Sequence, residues 1–271
     1  MNQKKVVVIT GASSGIGKAL VLEYANKGHI VAMAARNEAE LKGLQHELLA
    51  QSRESMYVVT DVTKESDCQH LIDAVVKKYQ RIDILINNAG ISMRALFNEL
   101  DLSVMKRVMD VNFWGTVYCS KYALPYLLET KGSLVGVISI AGYLGLPARS
   151  AYSASKFAIR GFLDTIRVEN LKKDLHVLVA APGFTKSNIR NVALTNDGSV
   201  QGESPRDENK MMTAEEVAQK IVKAVERKRS ELILTFVEGK LSVFLSKFLP
   251  RLLDRLSYNH MAKEPNSPLN Q

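Results

Sequence analysis

At 271 residues, 46% of them apolar, the chain has material for one large buried core, which excludes wholesale disorder. Its formal charge of +8 comes from 36 Lys and Arg scattered among 28 Asp and Glu, the pattern of a solvated basic surface rather than a nucleic-acid-binding face. Cys68 and Cys119 fall in separate predicted helices. Neither they nor the histidines (His29, His46, His70, His176 and His260) show metal-ligand spacing, so neither a disulfide framework nor a metal site is expected. The N-terminal lysines lead straight into "VVVIT" without a signal-peptide core, and no apolar run approaches the ~18 residues of a membrane span. The expectation is a soluble, cytoplasmic protein.

In chain order, seven short apolar runs read as strands: 4–10, 30–35, 56–60, 82–87, 133–139, 175–181 and 231–236. Amphipathic stretches at 15–28, 37–51, 64–79, 101–128 and 150–173 alternate with them as helices. Strands that are apolar on both faces must be covered on both faces, so the alternation predicts a doubly wound α/β fold, a Rossmann-type parallel sheet of about seven strands. One domain spanning 1–271 is expected, with a substrate loop at 187–212 and an amphipathic extension at 237–271.

The first strand runs into "TGASSGIG", where Gly11, Gly15 and Gly17 sit at the junction with a helix. Glycine permits a sharp turn and a close approach to a pyrophosphate, whose charge the free amides of the helix start favour. Gly11, Ser13, Ser14, Gly15, Ile16 and Gly17 are therefore candidate cofactor contacts. At the end of the second strand an acidic residue would bind an adenosine ribose and repel a 2'-phosphate, but the chain has Ala34, Ala35 and Arg36. A guanidinium grips phosphate well, so Arg36, with Asn37 beside it, favours NADP over NAD.

Farther on, Tyr152 precedes Lys156 by four residues, which brings a phenol and an ammonium to one helix face. An ammonium about 4 Å from the phenol, at an effective dielectric near 20, would supply roughly the 4 kcal/mol needed to bring a tyrosine pKa toward neutrality. The segment 187–212 is polar and turn-rich, as a substrate lid would be. Thr213 and Glu216 form a capping box at the start of the next helix. In the tail, Leu241, Phe244, Leu245, Phe248, Leu252, Leu253 and Leu256 recur at helical spacing with Lys247, Arg251 and Arg255 between them, and Pro250 should split the stretch into two helices. Such a tail can cover a pocket, pack on a second subunit or make peripheral contact with a membrane through 239–261.

Taken together, "TGASSGIG", "NNAG" at 87–90, "SIAGYLGLPARSAYSASK" at 139–156 and "PGF" at 182–184 resemble the short-chain dehydrogenase/reductase family in order and spacing. The resemblance implies an NAD(P) cofactor and hydride transfer at a carbonyl or alcohol carbon. It makes Ser139, Tyr152, Lys156 and Asn112 the catalytic group, with Asn112 kinking its helix and holding a water that connects Lys156 to solvent. It implies that Asp61 and Val62 hold the adenine, that Asn88, Ala89 and Gly90 lie beside the ribose, and that Pro182, Gly183 and Thr185 lie on the nicotinamide side. Many relatives have a threonine where Ser187 stands, so either Thr185 or Ser187 is the contacting hydroxyl. Apolar candidates for the substrate pocket, beside Ser139, are Ile140, Tyr143, Leu144, Leu146, Phe184 and Ile189. They point to a lipophilic ketone, aldehyde or alcohol, and the family's helix interfaces imply a homodimer or homotetramer. The alternatives are an NADP-linked dehydrogenase of a sterol-like or long-chain alcohol, and a non-enzymatic NADP-binding regulator or membrane-attached scaffold.

Overall fold

The computed structural model describes residues 4–186, 188–204 and 211–270. Its centre is a parallel sheet of seven strands: β1 (Val6–Thr10), β2 (Ile30–Ala35), β3 (Ser55–Val59), β4 (Ile84–Asn87), β5 (Ser133–Val137), β6 (His176–Ala181) and β7 (Glu231–Ile233). They lie in the order β3-β2-β1-β4-β5-β6-β7, so the winding reverses between β1 and β4. Register pairs Val8 of β1 with both Ala32 of β2 and Leu85 of β4, which aligns the C-terminal ends of the central strands.

Strand periodicity sorts the core into two layers. Val7 and Ile9 of β1, with Ile84 and Ile86 of β4, pack under α1 (Gly15–Asn26), α2 (Glu38–Ala50) and α7 (Ala214–Glu226). Val6, Val8 and Leu85 face the other way, onto α3 (Glu65–Tyr79), α5 (Gly115–Glu129) and α6 (Ser150–Glu169). Each fully buried Val, Leu or Ile contributes about 1.5–3 kcal/mol relative to exposure, and covering both faces obtains this from successive residues of the same strand.

Local chemistry sets several element ends. Asn37 caps α2 by accepting a hydrogen bond from the Glu40 amide at 3.2 Å. The expected capping box opens α7: Thr213 accepts from the Glu216 amide, and the Glu216 carboxylate accepts from the Thr213 amide. β7 is shorter than its apolar run because Thr235 turns the chain with a φ of +67°. The helix expected over 101–128 is interrupted. It consists of α4 (Leu102–Met109), a wide π turn over Asp110–Trp114, and α5.

Most of the polar 187–212 segment is held rather than free. Leu194 is buried with Met93, Val104 and Ala151 in a third small core, and the Asp101 amide donates to the Asn196 carbonyl. Ser187 and residues 205–210 of that segment lie outside the described residues. Pro250 splits the tail as expected, into α8 (Ser242–Phe248) and α9 (Pro250–Ala262). Only Leu253 and Leu245 of the anticipated stripe pack on the core, whereas Leu241, Phe244, Phe248, Leu252 and Leu256 face outward.

Two glycines separate close packing from mere flexibility. A Cβ on Gly17 would lie 2.0 Å from the Gly11 carbonyl oxygen, whereas one on Gly43, in α2, would meet nothing within 4 Å. Denaturant unfolding should therefore show Gly17→Ala losing about 1–3 kcal/mol by overpacking, and Gly43→Ala gaining about 0.5–1 kcal/mol from helix propensity. Equal effects at the two positions would contradict this packing.

Candidate active site

The candidate site lies in the crevice at the strand ends where the winding reverses, the position open α/β sheets reserve for ligands. Thr10, the last residue of β1, is buried, and its hydroxyl accepts from the Asn88 and Ala89 amides at 3.0 and 3.1 Å. The Asn88 side-chain amide donates in return to the carbonyls of Thr10 (3.1 Å) and Gly11 (3.3 Å). The glycine loop is thereby tied to the "NNAG" segment. Gly11 has φ +64°, and a Cβ there would come within 2.8 Å of Ala89 Cα, so glycine is required for both reasons.

A groove of about 470 Å³ follows. Its walls include Gly11, Ser13, Ser14, Gly15 and Ile16 from the loop, Arg36 and Asn37 beyond β2, Asp61 and Val62 beyond β3, and Asn88, Ala89 and Gly90 beyond β4. Gly17 is set back from it, where it serves helix-to-loop packing. The Ser14 side chain does not cap α1, which leaves the amides of the first turn to a ligand. These features fit a dinucleotide: a side-chain-free cradle, a helix start and, in Arg36, an exposed guanidinium with no ion-pair partner among the described residues. Burial pushes the Asp61 carboxyl up, but hydrogen bonds from Thr63 and the charges of Arg36 and Lys64 outweigh it and hold the carboxyl below its ordinary range.

A second cavity, of about 140 Å³, opens beside the groove and shares Ile16, Asn88, Gly90 and Ile189 with it. Pro182, Gly183 and Thr185 border this cavity rather than the groove. One wall brings together Ser139, just past β5, with Tyr152 and Lys156 on the first turns of α6. Ser139 caps the short turn that follows the strand, accepting from the Ala141 amide at 3.2 Å.

Lys156 departs from the simple expectation of an ammonium beside the phenol oxygen. Its Nζ donates to the Val137 carbonyl at 3.1 Å and lies 5.6 Å from the Tyr152 ring centroid. Burial alone depresses its pKa to about 8. The Tyr152 phenol is raised above its ordinary value because desolvation outweighs the opposing effects of Ser139, Arg149 and Arg190. The cations that bear on the phenol are thus two arginines that sequence reasoning passed over.

Asn112 lies in the π turn and is fully buried. Its side chain accepts from the Ile91 amide (2.8 Å) and donates to the Ile91 carbonyl (3.0 Å) and Ser155 Oγ (2.9 Å). Its own carbonyl accepts from Thr116 Oγ1 at 2.8 Å. Asn112 therefore braces the 88–91 segment against α6 and lines neither cavity. A Cβ on Gly90 would sit 3.2 Å from Asn112 Oδ1 and 3.4 Å from Lys156 Nζ, so glycine gives these two side chains room at a tight contact.

Of the residues expected at a substrate pocket, Ile140, Leu146, Phe184 and Ile189 line this second cavity, and Tyr143 and Leu144 do not. The turn at 140–142 carries those two into the core. There Tyr143 donates to Glu231 Oε1 at 2.7 Å and lies under the Arg160 guanidinium, 3.9 Å from ring centroid to guanidinium carbon. Burial and the Glu231 carboxylate push its phenol far above the usual range. The wall is also less apolar than expected, since Ser92, Arg149 and Arg190 join it, with Met261 arriving from the tail. Nothing in local sequence marks Arg149 or Met261 as pocket residues. Among the described residues no cluster of His, Cys, Asp or Glu could hold a metal ion.

The model of the short chain dehydrogenase family matches residues 5–197, across the glycine loop, Ser139, Tyr152 and Lys156. The chain belongs to the short-chain dehydrogenase/reductase family. A relative named dehydrogenase/reductase SDR family member 7B, from Xenopus laevis, is 36% identical over 92% of this chain and 80% of its own length. An Arabidopsis thaliana protein named 11-beta-hydroxysteroid dehydrogenase 1A is 41% identical over 68% of this chain but only 53% of its own. Among solved structures, an alcohol dehydrogenase from the archaeon Thermococcus sibiricus, complexed with 5-hydroxy-NADP, superposes with a TM-score of 0.77 at 26% identity. That match covers 86% of this chain and 96% of the archaeal one. Family membership makes this chain an oxidoreductase with a nicotinamide cofactor.

Lys156 gives the site a pH dependence with a definite sign. Its depressed pKa, about 8, means that the ammonium is present below that pH and lost above it. An activity that depends on that charge should accordingly fall in kcat/KM as pH rises through 8. In Lys156→Arg, which stays charged throughout, that ionisation should vanish from the profile even though the absolute rate drops. An unchanged fall near pH 8 in the variant would assign it to another group.

Proposed function

We propose that the protein is an NADPH-dependent carbonyl reductase acting on a hydrophobic ketone or aldehyde. The observation that carries the reading is the convergence of Ser139, Tyr152 and Lys156 on one wall of a cavity that opens into the dinucleotide groove. Bound reduced nicotinamide supplies the hydride, and the chain's own residues supply the rest. Ser139 Oγ donates a hydrogen bond to the substrate carbonyl oxygen and stabilises the negative charge that develops on it. Tyr152, whose raised pKa keeps it protonated at neutral pH, delivers its proton to that oxygen. Arg149 and Arg190 steady the phenolate left behind, with Lys156 completing the cationic surround.

Arg36 supports the choice of NADPH. It borders the groove beyond β2, where Ala34 and Ala35 precede it and no carboxylate is present to repel a 2'-phosphate. Ile140, Leu146, Phe184 and Met261 support an apolar substrate body. Exposed Trp114, Phe157, Val168 and Leu171 on the α5 and α6 side suit a homo-oligomer. The outward face of α8 and α9, with Phe244, Phe248, Lys247 and Arg251, suits peripheral contact with a membrane surface.

NADPH consumption by the purified protein over carbonyls graded from small and polar to long-chain and polycyclic tests the reaction. Tyr152→Phe should bind NADPH normally and lose roughly 10²–10⁴-fold in turnover, the usual contribution of a positioned acid. Near-normal turnover would remove the tyrosine from that role. Arg36→Asp should reverse the preference between NADPH and NADH by at least about tenfold, since a charge-assisted bond contributes roughly 1.5–3 kcal/mol. A preference unaffected by the substitution would mean that Arg36 is merely a surface charge.

A further inference from the structure

The last turn of α9 and the chain after it fold back over the catalytic cavity. Met261 is buried and lines that cavity, and the His260 ring lies 6.5 Å from the ring of Phe184, another lining residue. Beyond Ala262 the Glu264 carboxylate is buried 3.3 Å from an Arg94 nitrogen and 3.9 Å from one of Arg149. All three side chains are at most 10% exposed. Arg94 also donates to the Pro265 carbonyl at 2.8 Å, and Ser267 Oγ closes the turn onto the Met261 carbonyl at 2.9 Å. Asn266 donates to Glu203 Oε1 at 3.2 Å, which joins the strap to the loop after β6.

The two arginines come from different segments, and only Arg149 lines the cavity. Arg94 follows β4 on the segment that borders the cofactor groove, and Arg149 stands three residues before Tyr152 at the start of α6. Buried guanidinium groups require a paired, hydrogen-bonded anion, and an unpaired one destabilises strongly. Among the described residues, Glu264 is the carboxylate that reaches both. Arg94 Nε has no further partner among the described residues, so this buried group relies on the tail for its counter-charge. With the strap docked, the cavity measures about 140 Å³, below the roughly 300–1,000 Å³ that encloses a drug-sized ligand.

We propose that residues 260–267 form a latched wall of the substrate pocket and that Glu264, bridging Arg94 and Arg149, is the positioning residue that determines which carbonyl substrates enter. The proposal rests on the reductase reading, because it treats this cavity as the carbonyl site. With the latch closed the pocket favours small carbonyls. With it released, Met261 withdraws and bulky ones gain access.

The test uses the full chain and two readouts, one of them independent of activity. In Glu264→Gln, hydrogen exchange of residues 259–270 should accelerate, and kcat/KM for a bulky ketone relative to a small aldehyde should rise about tenfold or more, as for a methylene-sized change in a pocket. Met261→Ala should raise the same ratio while leaving exchange of the strap unchanged, separating wall from latch. Removal of residues 263–271 reaches the open state by a second route, should Glu264→Gln fail to fold. Wild-type exchange and a wild-type ratio in the folded Glu264 variant, or a wild-type ratio in the truncated chain, would overturn the latch. If no form consumed NADPH with any carbonyl, the reductase reading would fail, and the exchange data alone would still decide whether Glu264 holds the strap.

Discussion

Much of this molecule depends on one buried hydroxyl. A parallel sheet whose order reverses at β1 and β4 leaves the ends of those strands without a common continuation, so side chains must define the crevice. Thr10 does this by accepting from two consecutive amides of the 88–90 segment, while Asn88 returns two hydrogen bonds to the β1 end. Each bond contributes only about 1 kcal/mol net, but leaving any of these buried groups unsatisfied would cost more, so the set holds as a unit. Gly11 can then pass within van der Waals distance of Ala89, and the dinucleotide cradle and the floor of the catalytic cavity become a single surface.

From that surface the catalytic group is built by bracing rather than by direct contact alone. The π turn inserts extra backbone into the α4–α5 helix and so turns Asn112 inward, where its amide grips Ile91 on one side and Ser155 on the other. Ser155 adjoins Lys156, and its hydroxyl also donates to the Tyr152 carbonyl at 2.7 Å. The glycine-loop side and the α6 side are thus joined through one asparagine. The local helical defect is the cost of placing it.

The alternation of apolar runs made the seven strands and most helices legible, because burial on both sheet faces leaves a continuous hydrophobic signal. The glycine loop and the Tyr152–Lys156 spacing were legible because they depend on local backbone geometry. What escaped was set by side chains meeting across large sequence distances. Tyr143 and Leu144 follow Ser139 so closely that they read as pocket residues, yet a three-residue turn sends them into the core toward Glu231, 88 positions from Tyr143. Thr10 looked like a strand terminus, and Arg94 and Arg149 like solvated charges. Arg94 gains its meaning only from Glu264, 170 residues farther along. At 101–128 helical periodicity passes smoothly through a π turn, so only the family resemblance, which implied a kink at Asn112, pointed to the interruption.

Electrostatics links these missed residues to the chemistry. The catalytic cavity gathers Lys156, Arg149 and Arg190 on its walls, with Arg94 close behind. Such a concentration of positive charge lowers the energy of a phenolate, but it also carries a desolvation penalty, visible in the depressed pKa of Lys156. Burial still dominates at Tyr152, whose proton is held more tightly than in water. For the proton donor that the proposed reductase reading makes of Tyr152, that balance is an advantage: the phenol remains protonated until charge develops on the substrate oxygen, and cations are already oriented for the phenolate. Glu264 offsets part of that charge by pairing with Arg94 and Arg149. Because Arg149 bears on both Glu264 and the phenol, a movement of the tail must alter the field at Tyr152 as well as the shape of the cavity.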